Sequence, residues 1–310
     1  MSAILYKSIL QPREVIEPYK YFSEDLEYLL KKGSTLEHYD SKGRIIFEHK
    51  YSKGLLKDKD FKEESFDKLF RKTVNLDCDK SKQDIEKLKS MSSYSPIIIG
   101  GCGRSGTTLL LSILSSNSKV FGIRDELYSF YPSFRPKKII NYLEDNNFES
   151  SKVWCEKTPK NILNFKKIYK AFNEDVKLIH IVRDGRDVVT SEHPFHPNKY
   201  WVDKKRWAND VSAGLNFSDC ILVRYEDLVS NTKNELLRIC KFCDLNYESQ
   251  MMNFHQTSTI KKNVAWSGEK VSKINQTRIK RWKNGKHKHI INAFNNDLEC
   301  LSLLSKLNYE

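Results

Sequence analysis

A glycine-rich loop at residues 101–108 has the composition of an anion-binding turn. It reads GCGRSGTT and lies between an isoleucine run (Ile97–Ile99) and leucines at helical spacing. Glycines let backbone N–H groups converge on one anion, and the start of the following helix adds the positive end of its dipole. The loop pattern of nucleoside triphosphatases, G-x-x-x-x-G-K-[ST], has a lysine where this sequence has Thr107. Because that lysine reaches the β- and γ-phosphates, its replacement argues against a triphosphate ligand and leaves Arg104 as the cation of the loop.

A second candidate anion site follows the apolar run VKLIHIV (Val176–Val182). The next segment, RDGRDVVTS, has Arg183 at the end of the run and Ser191 eight residues later. A guanidinium at a strand end can hold a phosphate through two hydrogen bonds, and a hydroxyl from the next helix can donate another. A solvated charged turn is the alternative interpretation of this segment on its own.

Other residues of chemical interest are distributed along the chain. They are Asp125 and Glu126 in FGIRDELYSF, Lys157 in VWCEKTPKNIL, Tyr225 in VRYEDLV, and Ser267, Arg281 and Trp282 in WSGEKVSKINQTRIKRWKNG. Taken singly, the two aromatic residues are typical of a core and the lysine is typical of a surface. Their order and spacing as a set, together with the two anion sites, make them candidates.

Strand and helix patterns that could position these residues alternate from Pro96 onward. Strands are predicted at 97–99, 119–123, 176–182 and 219–225, and helices at 107–116, at 136–146, after Thr158–Pro159, from residue 226, and at 288–307. This alternation predicts an α/β fold, a parallel β-sheet flanked by helices. Ligands of such sheets bind beyond the carboxyl ends of the strands, which is where the glycine-rich loop and Arg183 fall.

The chain divides by composition near residue 94. Residues 1–93 are rich in lysine and glutamate, and we expect an accessory or acceptor-recognition segment without an assigned role. Within it, Gly43–Tyr51 has a strand pattern, Lys62–Lys72 a short amphipathic helix, and Asp79–Ser95 a solvated helix followed by a linker. Residues 94–310 contain every candidate site residue and are predicted to form the catalytic domain.

Composition restricts the class of partner and the compartment. The net charge of +13 favours anionic partners, with a solubilising lysine coat as the alternative. A basic nucleic-acid- or polyanion-binding protein has no support beyond this charge, because no recognition motif is present, and we expect no nucleic-acid partner.

Seven cysteines lack framework spacing, which favours a reducing compartment, and Cys240-x-x-Cys243 is predicted to be core rather than zinc-binding. No run approaches the ~18 apolar residues of a membrane span, so we expect a cytoplasmic protein without a transmembrane segment.

Together these segments resemble sulfotransferases that use 3′-phosphoadenosine 5′-phosphosulfate (PAPS). GCGRSGTTLLLSIL is similar to their 5′-phosphosulfate loop, and Arg183 and Ser191 have the spacing of their 3′-phosphate site. The donor has no β- and γ-phosphate pair for a lysine to bind. In motif style the bacterial and tyrosylprotein-type enzymes are most similar, and the resemblance covers about residues 95–310.

The resemblance implies a P-loop sulfotransferase-like fold and a set of roles. Its donor-binding residues are Gly103, Arg104, Ser105, Gly106, Thr107, Thr108, Arg183, Ser191, Tyr225, Arg281 and Trp282. Arg104, Lys157 and Ser267 would act near the transferring sulfonate, and no metal is required. After transfer the product is 3′-phosphoadenosine 5′-phosphate (PAP).

The base and the acceptor remain open at this point. Enzymes with an R-S-G-T-T loop use an acid about twenty residues later, which points to Glu126, although Asp125 fits the simple residue count better. Histidine is the base in cytosolic aryl and steroid enzymes, but His180 lies within a strand pattern, and His193 and His196 are expected to be structural or to contact the acceptor.

The acceptor would be a hydroxyl or amine of a small molecule or glycan, anionic or aromatic in character. Its pocket would draw on residues 128–143, residues 191–207 and the N-terminal region. A P-loop kinase or NTPase is the alternative enzyme class.

Overall fold

The computed structural model describes residues 81–131, 134–193, 196–260 and 271–309, and four short strands nearer the N-terminus. The chain divides into two compact units, Met1–Asp84 with Pro132–Arg135, and Ile85–Tyr131 with Pro136–Glu310. In the first unit, β1 (Ala3–Ser8), β2 (Glu14–Val15), β3 (Ser34–Tyr39) and β4 (Ile45–Lys50) form an antiparallel sheet in the order β2-β1-β3-β4. Strand β4 falls within the predicted strand Gly43–Tyr51, whereas the predicted helix Lys62–Lys72 lies outside the described residues.

The second unit contains a five-stranded sheet in which every adjacent pair of strands is parallel. Its strands are β5 (Ile97–Gly100), β6 (Val120–Gly122), β7 (Val153–Lys157), β8 (Lys177–Val182) and β11 (Ile221–Arg224), in the order β11-β8-β5-β7-β6. A short hairpin, β9 (Glu192–His193) and β10 (His196–Tyr200), stands apart from this sheet. The predicted α/β fold with a parallel sheet is confirmed.

Helices occupy most of the connections between the strands. In chain order they are α1 (residues 81–90), α2 (Thr107–Leu114), α3 (Lys137–Asp145), α4 (Phe165–Ala171), α5 (Gly185–Val189), α6 (Lys204–Leu215), α7 (Tyr225–Ser230), α8 (Thr232–Phe242), α9 (Phe254–Thr257), α10 (Lys288–Asn295) and α11 (Leu298–Lys306). Helices of the 3₁₀ type form Pro159–Asn164 (6 residues), before α4, and Arg281–Asn284 (4 residues), before α10. Among the described residues, no helix has both the length and the apolar composition needed to cross a membrane.

Both faces of the sheet are covered, which explains the uninterrupted apolar runs in its strands. Ile97, Ile98 and Ile99 of β5 are all fully buried, although successive side chains of a strand point to opposite faces. Ile97 and Ile99 belong to a core cluster with the leucines of α2 and with Cys240 and Cys243 of the α8 region. The prediction that the two cysteines are core residues is therefore confirmed.

The order of the strands creates a crevice at the centre of the sheet. From β5 the chain runs first to β6 and β7 on one side, and then crosses to β8 and β11 on the other side. Strands β5 and β8 are neighbours whose following segments leave in different directions, which is the arrangement that opens a ligand site beyond their carboxyl ends. The glycine-rich loop follows β5 and Arg183 follows β8, so this topology brings the two predicted anion sites together.

Two local predictions need correction, and a third is confirmed in position only. The predicted C-terminal helix 288–307 is two helices, α10 and α11, because the carboxylate of Asp297 caps the second one by accepting a hydrogen bond from the Cys300 N–H (3.2 Å). The helix at 81–90 is not solvated on all sides, since Ile85 and Leu88 are buried. Thr158 occupies the N-cap position before Pro159, yet its side chain makes no capping hydrogen bond.

Candidate functional site

The glycine-rich loop turns sharply between β5 and α2. Gly106, at the N-cap of α2, has φ of 97°, and Arg104 has φ of 72°. A Cβ atom on Gly106 would lie 2.6 Å from Cδ2 of Tyr225, so glycine is required both by the backbone conformation and by this close approach. The first N–H groups of α2 have no acceptor within the helix. The loop therefore presents backbone donors and the positive end of a helix dipole to the crevice.

Arg104 connects the glycine-rich loop to the segment after β8. Its Nε donates a hydrogen bond to Oγ of Ser191 (2.8 Å), a residue 87 positions further along the chain. Nη1 of Arg183 donates to the carbonyl oxygen of Arg104 (3.3 Å). The two predicted anion sites thus form one structure, which we call the arginine arm: Arg104, Arg183, Ser191 and Arg278.

Positive charge is concentrated in the arginine arm. Nη2 of Arg183 donates to the backbone oxygen of Arg278 (2.5 Å), and the Arg183 guanidinium lies 4.5 Å from the ring centroid of Tyr225. Burial, followed by the neighbouring charges of Arg183 and Arg278, lowers the pKa of Arg104 to about 10. Nε of Arg183 is buried and has no hydrogen-bond acceptor among the described residues. A polyanionic group is the ligand that would offset this mutual repulsion and satisfy this donor.

Lys157 and Glu126 form an ion pair between the end of β7 and the segment after β6. The Lys157 side chain is 5% exposed and the Glu126 side chain 20%. The second carboxylate oxygen of Glu126 accepts a hydrogen bond from the Tyr128 hydroxyl (3.1 Å). Burial, followed by the charge of Glu126, raises the pKa of Tyr128. Asp125, the other candidate base, is exposed and acts on Tyr142 instead, where its charge adds to the effect of burial in raising the pKa.

A fully buried carboxylate lies directly behind Lys157. The oxygens of Glu156 accept hydrogen bonds from the Thr158 hydroxyl and from Nδ2 of Asn161, each at 2.5 Å. This contact explains why the Thr158 hydroxyl does not cap the following turn. Burial raises the pKa of Glu156 to about 7, while the two hydrogen bonds and the charge of Lys157 oppose the rise. The network fixes the backbone on either side of Lys157.

Asp187 attaches the segment 278–284 to the arginine arm. Its carboxylate accepts hydrogen bonds from Nη2 of Arg183 (3.3 Å) and from the backbone N–H groups of Lys280 (2.9 Å) and Trp282 (3.0 Å). The Trp282 ring lies 4.0 Å from the guanidinium of Arg186, and its Nε1 donates to Asp184 (3.2 Å). The segment is thereby held beside the glycine-rich loop.

A cavity of about 580 Å³ opens at the carboxyl end of the sheet. Most of the predicted site residues line it: Gly103, Arg104, Gly106, Thr107, Thr108, Glu126, Arg183, Ser191, Tyr225 and Arg281. Eight of its described lining residues carry lysine or arginine side chains, namely Arg104, Lys160, Arg183, Arg206, Lys273, Arg278, Arg281 and Lys286, against three carboxylates, Glu126, Asp187 and Glu192. The volume is within the range of about 300–1,000 Å³ that is typical of small-molecule sites.

The remaining predicted site residues lie elsewhere. Ser105 is buried within the loop, and its hydroxyl has no partner among the described residues. Lys157 is not a lining residue, but it contacts Glu126, which lines the cavity. Trp282 is also outside the lining residues and packs on Arg186. Asp125 is outside the lining residues described above, and Ser267 lies outside the described part of the chain.

Candidate histidines differ in their surroundings. His180 is fully buried in β8, and burial lowers its pKa to about 3, so it stays neutral in the core. The side chains of His193 and His196 lie outside the described residues. His287, which the sequence analysis did not select, lines the cavity, and its Nδ1 lies 3.0 Å from the Tyr200 hydroxyl.

Several lining residues escaped the sequence analysis because no local pattern marks them. Asp187 had a signal, since it belongs to the R-D-G-R-D segment, but its role in binding the 278–284 backbone depends on contacts more than 90 residues apart. Arg278 lies in a segment whose neighbours were selected. Arg206 lies within the segment 191–207 that the sequence assigns to the acceptor pocket, whereas Lys160 lies in a predicted helix with no pattern that marks it as a site residue.

Comparison with known proteins gives one consistent result. Residues 139–249 match the family model described as "Sulfotransferase family". A Caenorhabditis briggsae protein named "Putative protein-tyrosine sulfotransferase" is 26% identical over 205 residues, which is 54% of this chain and 71% of that protein. The sulfotransferase domain of the curacin biosynthetic pathway superposes with a TM-score of 0.50 at 17% identity and covers 71% of this chain and 99% of its own. The sulfotransferase domain of the Synechococcus PCC 7002 olefin synthase gives 0.51 at 15% identity and covers 71% and 96%. These two structures share the fold of the second unit.

Proposed function

We propose that this chain is a sulfotransferase that transfers the sulfonate group of PAPS to a hydroxyl or amine of an acceptor, and the family match at residues 139–249 and the similarity to a sulfotransferase relative support this proposal. The observation that carries the proposal is the arginine arm. It joins the loop after β5 to the segment after β8 through the Arg104–Ser191 and Arg183–Arg104 hydrogen bonds. A donor with phosphate groups at both ends of one ribose requires two anion sites that share one crevice.

The residues present fit such a donor. The N–H groups at the start of α2, with the hydroxyls of Thr107 and Thr108, would hold the 5′-phosphate. Arg183, whose buried Nε lacks an acceptor among the described residues, and Ser191 would hold the 3′-phosphate. Tyr225 lies between these two sites, against Gly106 and under the Arg183 guanidinium. Arg281 lines the same cavity and adds positive charge.

In this proposal Glu126 is the base and Lys157 is its charged partner. As the acceptor oxygen or nitrogen bonds to sulfur, its proton passes to the Glu126 carboxylate, and the bond from sulfur to the bridging oxygen of the donor breaks. PAP leaves with that electron pair on its 5′-phosphate. Arg104 and Lys157 would stabilise the negative charge on the sulfonate and leaving oxygens, because preorganised cations in a partly dry site act strongly on developing charge. The role of Ser267 beside the sulfonate is proposed from the family resemblance alone.

Asp125 is a weaker candidate for the base. It is exposed, whereas Glu126 lines the cavity and is oriented by contacts with Lys157 and Tyr128. A general base needs a fixed position within hydrogen-bonding reach of the acceptor. The contacts with Lys157 and Tyr128 restrain the Glu126 side chain, which supports Glu126 over Asp125.

Nucleotide-dependent thermal stability tests the donor. PAP without magnesium should raise the melting temperature, and at 100 times its Kd the expected rise is about 5–10 °C for a unit of this size. ATP with magnesium should do little, since Thr107 replaces the lysine that a triphosphate requires. Radiolabel should also pass from [35S]PAPS to one or more members of a panel of phenols, amines and glycans.

A pair of arginine variants sharpens this test. Arg183→Gln should abolish the rise with PAP, whereas Arg238→Gln, on the exposed side of α8 in a surface pair with Glu235, should retain it. Stabilisation by ATP and magnesium but not by PAP would contradict the proposal. So would equal stabilisation of the two variants by PAP.

A further inference from the structure

A second basic cluster lies in the cavity, apart from the arginine arm. Asp210 of α6 is fully buried, and its carboxylate pairs with two cations: Nζ of Lys160 at 2.9 Å and Nε of Arg206 at 3.6 Å. The two cationic side chains are 23% and 31% exposed, and both line the cavity. We call these three residues the Asp210 cluster.

The Asp210 cluster borders the place where transfer would occur. Nη2 of Arg206 lies 3.3 Å from the position that a Cβ atom on Gly103 would take, so the guanidinium packs against the glycine-rich loop. The charge of Arg206 also reaches Tyr128, where it opposes the rise in pKa caused mainly by burial. Tyr128 in turn donates to Glu126. Arg206 therefore lies beside both the loop and the proposed base.

Charge and surroundings distinguish this cluster from an ordinary structural ion pair. Two cations share one carboxylate, which leaves a net positive charge on the cavity wall. By contrast, the described pairs Lys286–Glu192 (2.9 Å) and Lys157–Glu126 at this cavity each join one lysine to one carboxylate. The Tyr131 ring centroid is 5.9 Å from Nζ of Lys160, and Nη1 of Arg206 donates a hydrogen bond to the backbone carbonyl oxygen of Trp201 (3.5 Å).

We propose that Lys160 and Arg206, held in place by Asp210, bind an anionic group on the acceptor. The acceptor would carry a carboxylate or a sulfate next to the ring or chain that bears its accepting hydroxyl or amine. The hydrogen bond from Lys160 to Asp210 (2.9 Å) and the hydrogen bond from Arg206 to the Trp201 carbonyl oxygen (3.5 Å) restrain the two cations before binding, so less side-chain freedom is lost when the anion arrives. This inference rests on the proposed sulfonate transfer, because it assigns the part of the cavity that the donor does not use.

Matched phenols test the preference directly. The probes are p-cresol, 4-hydroxyphenylacetate and 4-hydroxybenzenesulfonate, which share a phenol and differ in a neutral, carboxylate or sulfonate substituent. Their Kd for PAP-saturated protein is measured by calorimetry, and kcat/KM with PAPS is measured for each. We expect one or both anionic phenols to bind about tenfold more tightly than p-cresol, and the two anionic probes distinguish a carboxylate from a sulfur oxyanion.

Variants assign the preference to the cluster. Arg206→Gln and Lys160→Gln should each reduce the preference for the anionic phenols over p-cresol to about threefold or less. Neither variant should change the Kd for PAP. Arg206→Lys should retain most of it, and this variant keeps the test valid if the glutamine variant does not fold. Lys205→Gln removes an adjacent, exposed charge of the same helix and should leave the preference as in the wild type.

Two results would overturn the inference. One is an equal affinity of the wild type for all three phenols. The other is an Arg206→Gln variant that loses PAP affinity as strongly as it loses the anionic phenols, since the guanidinium would then belong to the donor site. The wild-type PAP titration separates the two proposals: failure to bind PAP removes the proposed function, whereas normal PAP binding without an anion preference removes only the acceptor assignment.

Discussion

Replacing Glu126 by glutamine separates proton transfer from donor binding. Glutamine has the same shape, and its single carbonyl oxygen can still accept a hydrogen bond from Lys157, but the amide cannot take the proton of the acceptor. General-base catalysis contributes about 10²–10⁴-fold, so kcat should fall by that factor, or by about 3–5 kcal/mol in activation free energy. The Kd for PAP should stay within about twofold, because the arginine arm makes no described hydrogen bond to Glu126.

The same substitution should have a measurable effect on stability. Breaking a buried ion pair costs about 3–5 kcal/mol. Here the Glu126 side chain is 20% exposed and the new amide keeps one hydrogen bond to Lys157, so we expect about 1–2 kcal/mol. For a unit of this size that corresponds to a melting temperature lower by about 2–8 °C.

The assay combines single-turnover transfer from labelled PAPS, PAP calorimetry and thermal melting. Asp125→Asn is the matched control, since it removes the adjacent, exposed carboxylate and should leave kcat unchanged. Near wild-type turnover in Glu126→Gln, or a large loss in Asp125→Asn with normal folding, would refute the assignment of the base. Loss of PAP binding in Glu126→Gln would refute the assignment of proton transfer and donor binding to separate residues.

Two further predictions concern backbone and pH. Gly106→Ala should lower the free energy of unfolding by about 1–3 kcal/mol through its φ of 97° and should weaken PAP binding at least tenfold by displacing Tyr225. Gly285→Ala, with φ of 79° but only an ordinary 3.7 Å contact between the new Cβ and Cε of Lys288, should share the strain and not the binding loss; equal binding losses would contradict this. Because burial raises the pKa of Glu156 to about 7, the folded state resists ionisation, so wild-type stability should fall as pH rises from about 4.5 to 7. Glu156→Gln should remove up to about 3 kcal/mol of that fall in urea denaturation at pH 5 and 8, and an unchanged pH dependence would argue against it.

Local features of the fold could be read from the sequence because they depend on neighbouring residues. The strand–loop–helix around residues 97–114 follows from an isoleucine run, glycines that permit positive φ, and leucines at helical spacing. The alternation of apolar strands with helices was enough to predict a parallel sheet, and the carboxyl ends of its strands were enough to bring the loop and Arg183 to one edge.

Predictions that depended on competition between partners were less successful. Thr158 has the type and position of an N-cap, but the buried carboxylate of Glu156 takes its hydroxyl, since an unsatisfied buried charge costs more than a missing cap. The break between α10 and α11 was missed for a related reason: the apolar pattern continues through it, and the capping by Asp297 decides the boundary.

The sequence by itself determined which residue types are available for chemistry and, through their local order, the α/β fold and the two candidate anion sites. Only the tertiary structure decided which of them act together. Asp125 and Glu126 are adjacent in the chain, yet one is exposed while the other pairs with Lys157 in the cavity. Lys160 and Arg206 are 46 residues apart and gain a shared role only because Asp210 is buried between them. Backbone preferences act over a few residues, whereas burial and long-range ion pairs depend on how the elements pack.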